Sequence, residues 1–133
     1  MAGTDKSGLI MAAMKARRRA VAPYSKFKVG AALLTRNGDV ITGANVESAS
    51  YGLTCCAERV ALFKALTEGF NDFVAIAVVA PAKNTPMPCG ACRQLLAEYA
   101  PKAKVWTADS RKPRKIKEFT VAGLLPAAFV DVF

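Results

Sequence analysis

The sequence contains no histidine. That absence excludes Ser-His-Asp and Cys-His nucleophile systems and every metal site built on imidazole. Acid–base chemistry near neutral pH must then come from a carboxylate, a thiol, a lysine or a metal-activated water. Long apolar runs are missing too: the longest, Phe73 to Ala80, is far shorter than a membrane-spanning helix requires. Met1 to Gly8 lacks the apolar core of a secretion signal. From these absences we expect a cytoplasmic protein without a membrane partner, in a compartment where thiols stay reduced. No repeat or low-complexity linker divides the chain, so residues 1–133 read as one domain.

The composition is that of a folded protein. Apolar residues make up 53% of 133 positions, and a chain of this size buries about two-thirds of its unfolded surface without help from disulfides. Nineteen basic residues against ten acidic give a net charge of +9. The excess is uneven. Residues 1–30 and 102–117 each carry +6, while 31–101 is nearly neutral at −1. Basic flanks suit an anionic partner. These runs lack interleaved aromatics to stack on bases, so they read as solvated surface and nucleic acid is not the expected partner.

Apolar spacing places the elements. Leu9 to Val21 reads as an amphipathic helix capped by Thr4 or Ser7 and ended by Pro23. Val29 to Thr35 is a buried strand, Asn37-Gly38 a hairpin turn, and Val40 to Val46 its antiparallel partner. Cys56 to Leu66 is a helix stopped at Gly69, and Phe73 to Ala80 a strand. Pro88 sits in the first turn of a helix running to Tyr99. Strands at Lys104 to Ala108 and Lys115 to Phe119 follow, with a short helix at Val121 to Leu125. Strand–helix alternation after the hairpin predicts parallel pairs, hence an α/β fold: a three-layer α/β/α sandwich on a mixed five-stranded sheet.

Four cysteines in a reducing compartment are metal ligands or catalytic thiols more readily than a disulfide framework. Cys89 and Cys92, three apart at a helix start, put their Cβ atoms roughly 5–6 Å apart on one face. Two thiolates there can share a tetrahedral zinc, and the helix N-terminus favours their charge. The Cys55-Cys56 pair offers a third ligand 33 residues upstream, counted from Cys56. Three protein ligands leave the fourth zinc position open to water, whose pKa falls toward neutrality. Glu58, two residues past Cys56, is placed to carry that proton. Arg59, three past Cys56, and Arg93, four past Cys89, are placed to hydrogen-bond the thiolates and temper their charge.

With these residues in view, the sequence resembles the cytidine deaminase family over nearly its whole length. The likeness rests on Pro23-Tyr24-Ser25-Lys26-Phe27, Val29 to Leu34, Asn45-Val46-Glu47, Tyr51, Cys56-Ala57-Glu58-Arg59, Pro88-Cys89-Gly90-Ala91-Cys92-Arg93-Gln94, and Leu124-Leu125-Pro126 with Phe129. It implies that Cys56, Cys89 and Cys92 hold one zinc per chain and that Glu58 is the proton shuttle. Cys55 is then a spare thiol packed as a small apolar group. The resemblance implies that Phe27 packs on the pyrimidine and that Asn45 and Glu47 read the ribose. Ala49 and Ala57 are assigned to substrate binding on the same ground. Tyr51 and Phe129 are similar to aromatics that complete a neighbouring subunit's site in the family. Short members with a cysteine as first ligand form homotetramers, and this chain resembles that class. The blasticidin S deaminases share the zinc motifs but replace the ribose-reading Glu; Glu47 therefore favours a free nucleoside, cytidine or deoxycytidine. Ala44, Cys55 and the basic run 111–115 depart mildly from the family pattern.

Overall fold

The computed structural model describes residues 5–130. Helix α1 spans Lys6–Ala16, and its cap is Asp5, whose Oδ1 accepts the Gly8 N–H at 2.7 Å. A carboxylate there satisfies a free N–H and complements the helix dipole at once. Ser7, expected as a cap, lies inside the helix; Thr4 lies outside the described residues. The helix also ends earlier than the expected Val21. A single 3₁₀ turn, Arg17–Arg19, follows, and Ala20 is already extended. Arg17 Nε donates to Lys28 O at 3.0 Å. Val21 leaves the turn to pair with the chain at 45–47: its N–H reaches Asn45 O at 2.9 Å and its carbonyl accepts from Glu47 N at 2.8 Å.

Strands β1 (Gly30–Thr35) and β2 (Val40–Ala44) form the expected hairpin, with Gly38 at φ 91° in the turn. Val46 falls beyond β2, in isolated bridges to Val21 and Cys55. Helix α2 spans Ala57–Thr67, and Gly69 at φ 90° follows its end. Strand β3 occupies Phe73–Ala80. Helix α3 spans Gly90–Tyr99 with Cys89 as its N-cap, so Pro88 precedes the cap and does not open the helix. Strand β4 (Lys104–Asp109), strand β5 (Lys117–Thr120) and the short helix α4 (Val121–Leu124) complete the order. Lys115, expected in β5, instead closes a turn by donating its N–H to Lys112 O at 3.0 Å.

The sheet runs β2-β1-β3-β4-β5. Among these five strands only β3 and β4 pair in parallel; the other neighbours are antiparallel. Helix α1 covers one face, where Leu9, Ile10 and Ala13 pack on Ala32, Ala75, Ala77 and Val79. Helices α2 and α3 cover the other, where Ala61, Leu62 and Leu96 pack on Leu33, Ile76, Val78 and Val105. The expected three-layer sandwich results. Small residues set its tightness: a Cβ on Gly43 of β2 would lie 2.5 Å from Ala61 N and 2.7 Å from Ala57 O. That close approach fixes the start of α2 against the sheet, and the start of α2 carries the chemistry. Among the described residues no helix is long and apolar enough to cross a membrane.

Candidate active site

Two helix N-termini meet at one point. Cys56 caps α2, Cys89 caps α3, and Cys92 sits in the first turn of α3. The Sγ atoms of Cys56 and Cys89 are 3.7 Å apart, and those of Cys89 and Cys92 3.5 Å. All three sulfurs lie within 4.8 Å of one another. A tetrahedral zinc with bonds of about 2.3 Å needs sulfur–sulfur edges of about 3.8 Å, so the triad has the size of one face of that tetrahedron. Thiolate chemistry fits as well. The Cys56 thiol is pushed down to about 5, chiefly by its pairing with Cys92 and with help from the Arg59 guanidinium, against the opposing effect of burial. Cys92 is pushed up by the same pairing and by burial, and a metal bound by these thiols would displace their protons.

Arg59 Nη2 donates to Cys56 Sγ and to Thr54 O, each at 3.4 Å. This is the contact with a thiolate that its spacing predicted. Its buried Nε has no partner among the described residues. Arg93 does not reach a sulfur. Its Nε donates to Pro88 O at 2.7 Å and its Nη1 to Leu124 O at 3.0 Å, tying the start of α3 to α4. The guanidinium lies beside the carbonyl that precedes Cys89, which captures it before it can turn to the metal face. Cys55 is a free, half-buried thiol whose burial raises its pKa. Its backbone pairs with Val46 in both directions, at 3.0 and 2.9 Å, which holds the chain entering α2.

Glu58 is 6% exposed in the first turn of α2. Burial pushes its carboxyl up to about 7, with the Cys56 charge adding to the rise. A carboxyl poised near neutrality both accepts and returns a proton. It lines a cavity of about 390 Å³ together with Phe27, Asn45, Cys56, Ala57 and Cys89. That volume is in the range of small-molecule sites. Val29, Val78 and Ala82 add apolar wall, and Thr54, Thr85, Pro86 and Met87 line it too, without a signal in the sequence. None carries a spacing signal; the fold of loop 81–88 brings the last three in.

Asn45 is buried, and its amide bridges both sides of Lys28. Oδ1 accepts the Val29 N–H and Nδ2 donates to Phe27 O, both at 2.9 Å. It therefore orients the backbone that presents Phe27 to the cavity. Glu47 faces an adjoining hollow of about 370 Å³, shared with Tyr51 and joined to the first through Thr54. Its carboxylate accepts the Tyr24 and Ser25 N–H groups at 3.1 Å each and also the Ser25 hydroxyl. Those bonds, the Ser25 hydroxyl foremost, hold it below the ordinary carboxylate range. Ala49 is exposed and lines neither hollow; Tyr51 and Phe129 are 82% and 69% exposed. Phe129 lies in a tail fastened by Gln94 Nε2, which donates to Phe129 O at 2.9 Å.

Comparison with known proteins agrees with this geometry. Residues 4–108 match the cytidine and deoxycytidylate deaminase zinc-binding region. The chain is 56% identical over 126 residues to a cytidine deaminase of Halalkalibacterium halodurans, covering 94% of each chain. It is 47% identical over 125 residues to that of Sporosarcina psychrophila, covering 94% of this chain and 91% of the relative. The crystal structure of cytidine deaminase from Burkholderia pseudomallei superposes with a TM-score of 0.87 at 49% identity, over 91% of this chain and 96% of that one. A zinc-ready face of three cysteines, a buried carboxyl beside it and matches across most of the chain lead to one conclusion: the chain belongs to the cytidine and deoxycytidylate deaminase zinc-binding family.

Proposed function

We propose that the protein hydrolyses cytidine and deoxycytidine to uridine and deoxyuridine with release of ammonia, a pyrimidine-salvage reaction of the cytoplasm, with residues 1–133 as one catalytic domain. The observation that carries this reading is the buried Glu58 carboxyl opening into the same cavity as Cys56 and Cys89. Cys56, Cys89 and Cys92 would hold a zinc ion, which when bound would supply water activation at neutral pH. Glu58 takes the water's proton, gives one to the ring nitrogen and then assists the departing amine. Arg59 holds Cys56 by its hydrogen bond and offsets part of the thiolate charge. Phe27 lies at the wall where a flat ring packs, and Asn45 sets its backbone. Glu47 lines the adjoining hollow, to which this reading assigns the sugar, and its ionised carboxylate is suited to accept a hydrogen bond from a sugar hydroxyl.

The second hollow is open and bordered by the exposed aromatic Tyr51; Leu53 beside it is 75% exposed. These features support a homotetramer in which Tyr51 and Phe129 close neighbouring sites, and light scattering of active enzyme checks it. The reading as a whole is tested by incubating purified protein with cytidine, deoxycytidine, cytosine and single-stranded DNA and following loss of cytosine absorbance. Turnover of the two nucleosides alone supports it; equal turnover of DNA contradicts it.

A further inference from the structure

The basic run at 111–117 takes no part in the chemistry above. In the fold it closes a third concavity. The parallel strands β3 and β4 end side by side at Ala80 and Asp109, and their loops diverge, one toward α3 and the other toward β5. Between the loops lies a cavity of about 260 Å³ lined by Lys83, Asn84, Thr85, Lys112, Lys115 and Lys117. A crevice outside the carboxyl ends of parallel strands, where successive connections part, is where open α/β sheets bind ligands.

Its charge is uncompensated. Asp109 is the one carboxylate at the cavity, and both its oxygens engage Arg111, at 2.9 and 3.0 Å. Among the described residues none of the four lysines pairs with a carboxylate. Four like charges around one hollow repel one another and concentrate a positive field there. The lining offers Asn84 and Thr85 as neutral polar groups and no aromatic ring. A nucleic-acid strand lacks a stacking platform there. The size and the clustered ammonium groups suit a compact multivalent anion.

We propose that this cavity is a binding site for a polyphosphate group, such as the phosphate chain of a nucleoside triphosphate. It adjoins the substrate cavity through Thr85, which lines both. The test is isothermal titration of the zinc-loaded protein with tripolyphosphate, with a nucleoside triphosphate and with a single-stranded oligonucleotide. The binding readout needs no turnover, so its outcome is independent of the deaminase reading. One tripolyphosphate per chain is expected, with the nucleotide competing for it. K112E/K115E should weaken both by roughly 10-fold or more, as lost charge-assisted bonds require, while cytidine turnover persists. R18E/R19E, on the other basic flank, should bind as the parent does. Should K112E/K115E lose its turnover, K83A/K117A carries the same comparison. Absence of tripolyphosphate binding, equal weakening in R18E/R19E, or an oligonucleotide that binds more tightly than tripolyphosphate overturns the proposal.

Discussion

The hydroxyl of Thr107, on β4, meets that of Thr85 at 2.8 Å. Thr107 is fully buried, and Thr85 holds φ 66°, a left-handed conformation that a β-branched residue adopts at a cost. Thr85 forms part of the wall of the cavity that Glu58 lines. The bond therefore pins a strained loop in the shape that the cavity needs. Thr107→Val removes the bond with little change of volume. One such bond contributes about 1 kcal/mol, so KM for cytidine should rise roughly fivefold with kcat and zinc content unchanged. Thr107→Ser should restore KM. Steady-state kinetics of the two variants checks this.

Glu47→Ala should lower kcat/KM for cytidine by roughly 10- to 150-fold, the worth of a hydrogen bond to a charged group. Zinc content should not change, because Glu47 lines the second hollow and not the sulfur triad. Cytosine, which has no sugar, should be as poor a substrate for the variant as for the parent. A kinetic comparison of cytidine with cytosine separates a role in gripping the sugar from a general loss of fold.

Glu118 offers a test of the fold by pH. Its carboxylate accepts from Trp106 Nε1 at 2.8 Å and pairs with Lys6 at 3.1 Å and Lys104 at 3.4 Å, so it links α1, β4 and β5. The Trp106 bond foremost, then Lys6, lowers its pKa from 4.5 to about 2. A depressed carboxylate stabilises the fold fully above its unfolded value and loses that contribution as pH falls through its folded one. The parent should therefore exceed Glu118→Gln in stability at pH 7. The difference should shrink as pH falls from 4.5 to about 2. Urea melts at several pH values read it directly.

Much of the site was legible because its residues are local in sequence. Cys56 with Glu58, and Cys89 with Cys92, pair a helix cap with its first turn, and spacing fixes that geometry. Strand β3 was legible because Phe73 to Ala80 is apolar throughout and buried on both faces. What escaped was set by contacts distant in sequence or by competition between near-equal partners. Asp5 caps α1 in place of Ser7 because the helix starts two residues earlier, at Lys6, where the Asp5 carboxylate accepts the Gly8 N–H. Arg93 went to the Pro88 and Leu124 carbonyls, and the second of these lies 31 residues away. The double bond of Asn45 to Phe27 and Val29, and the meeting of Thr107 with Thr85, depend on how strands and loops stack. No local pattern announces either.

The proposed function rests on Glu58 as the group that moves protons beside a zinc held by Cys56, Cys89 and Cys92. The most direct measurement is Glu58→Gln assayed with cytidine, with zinc determined on the same sample. The amide is nearly isosteric but cannot carry the proton. We expect about one zinc per chain, an unchanged fold and turnover lowered by roughly 100- to 10,000-fold. A variant that keeps its zinc and retains more than about a tenth of the parent rate, against the far larger loss expected of a positioned acid–base group, would contradict it.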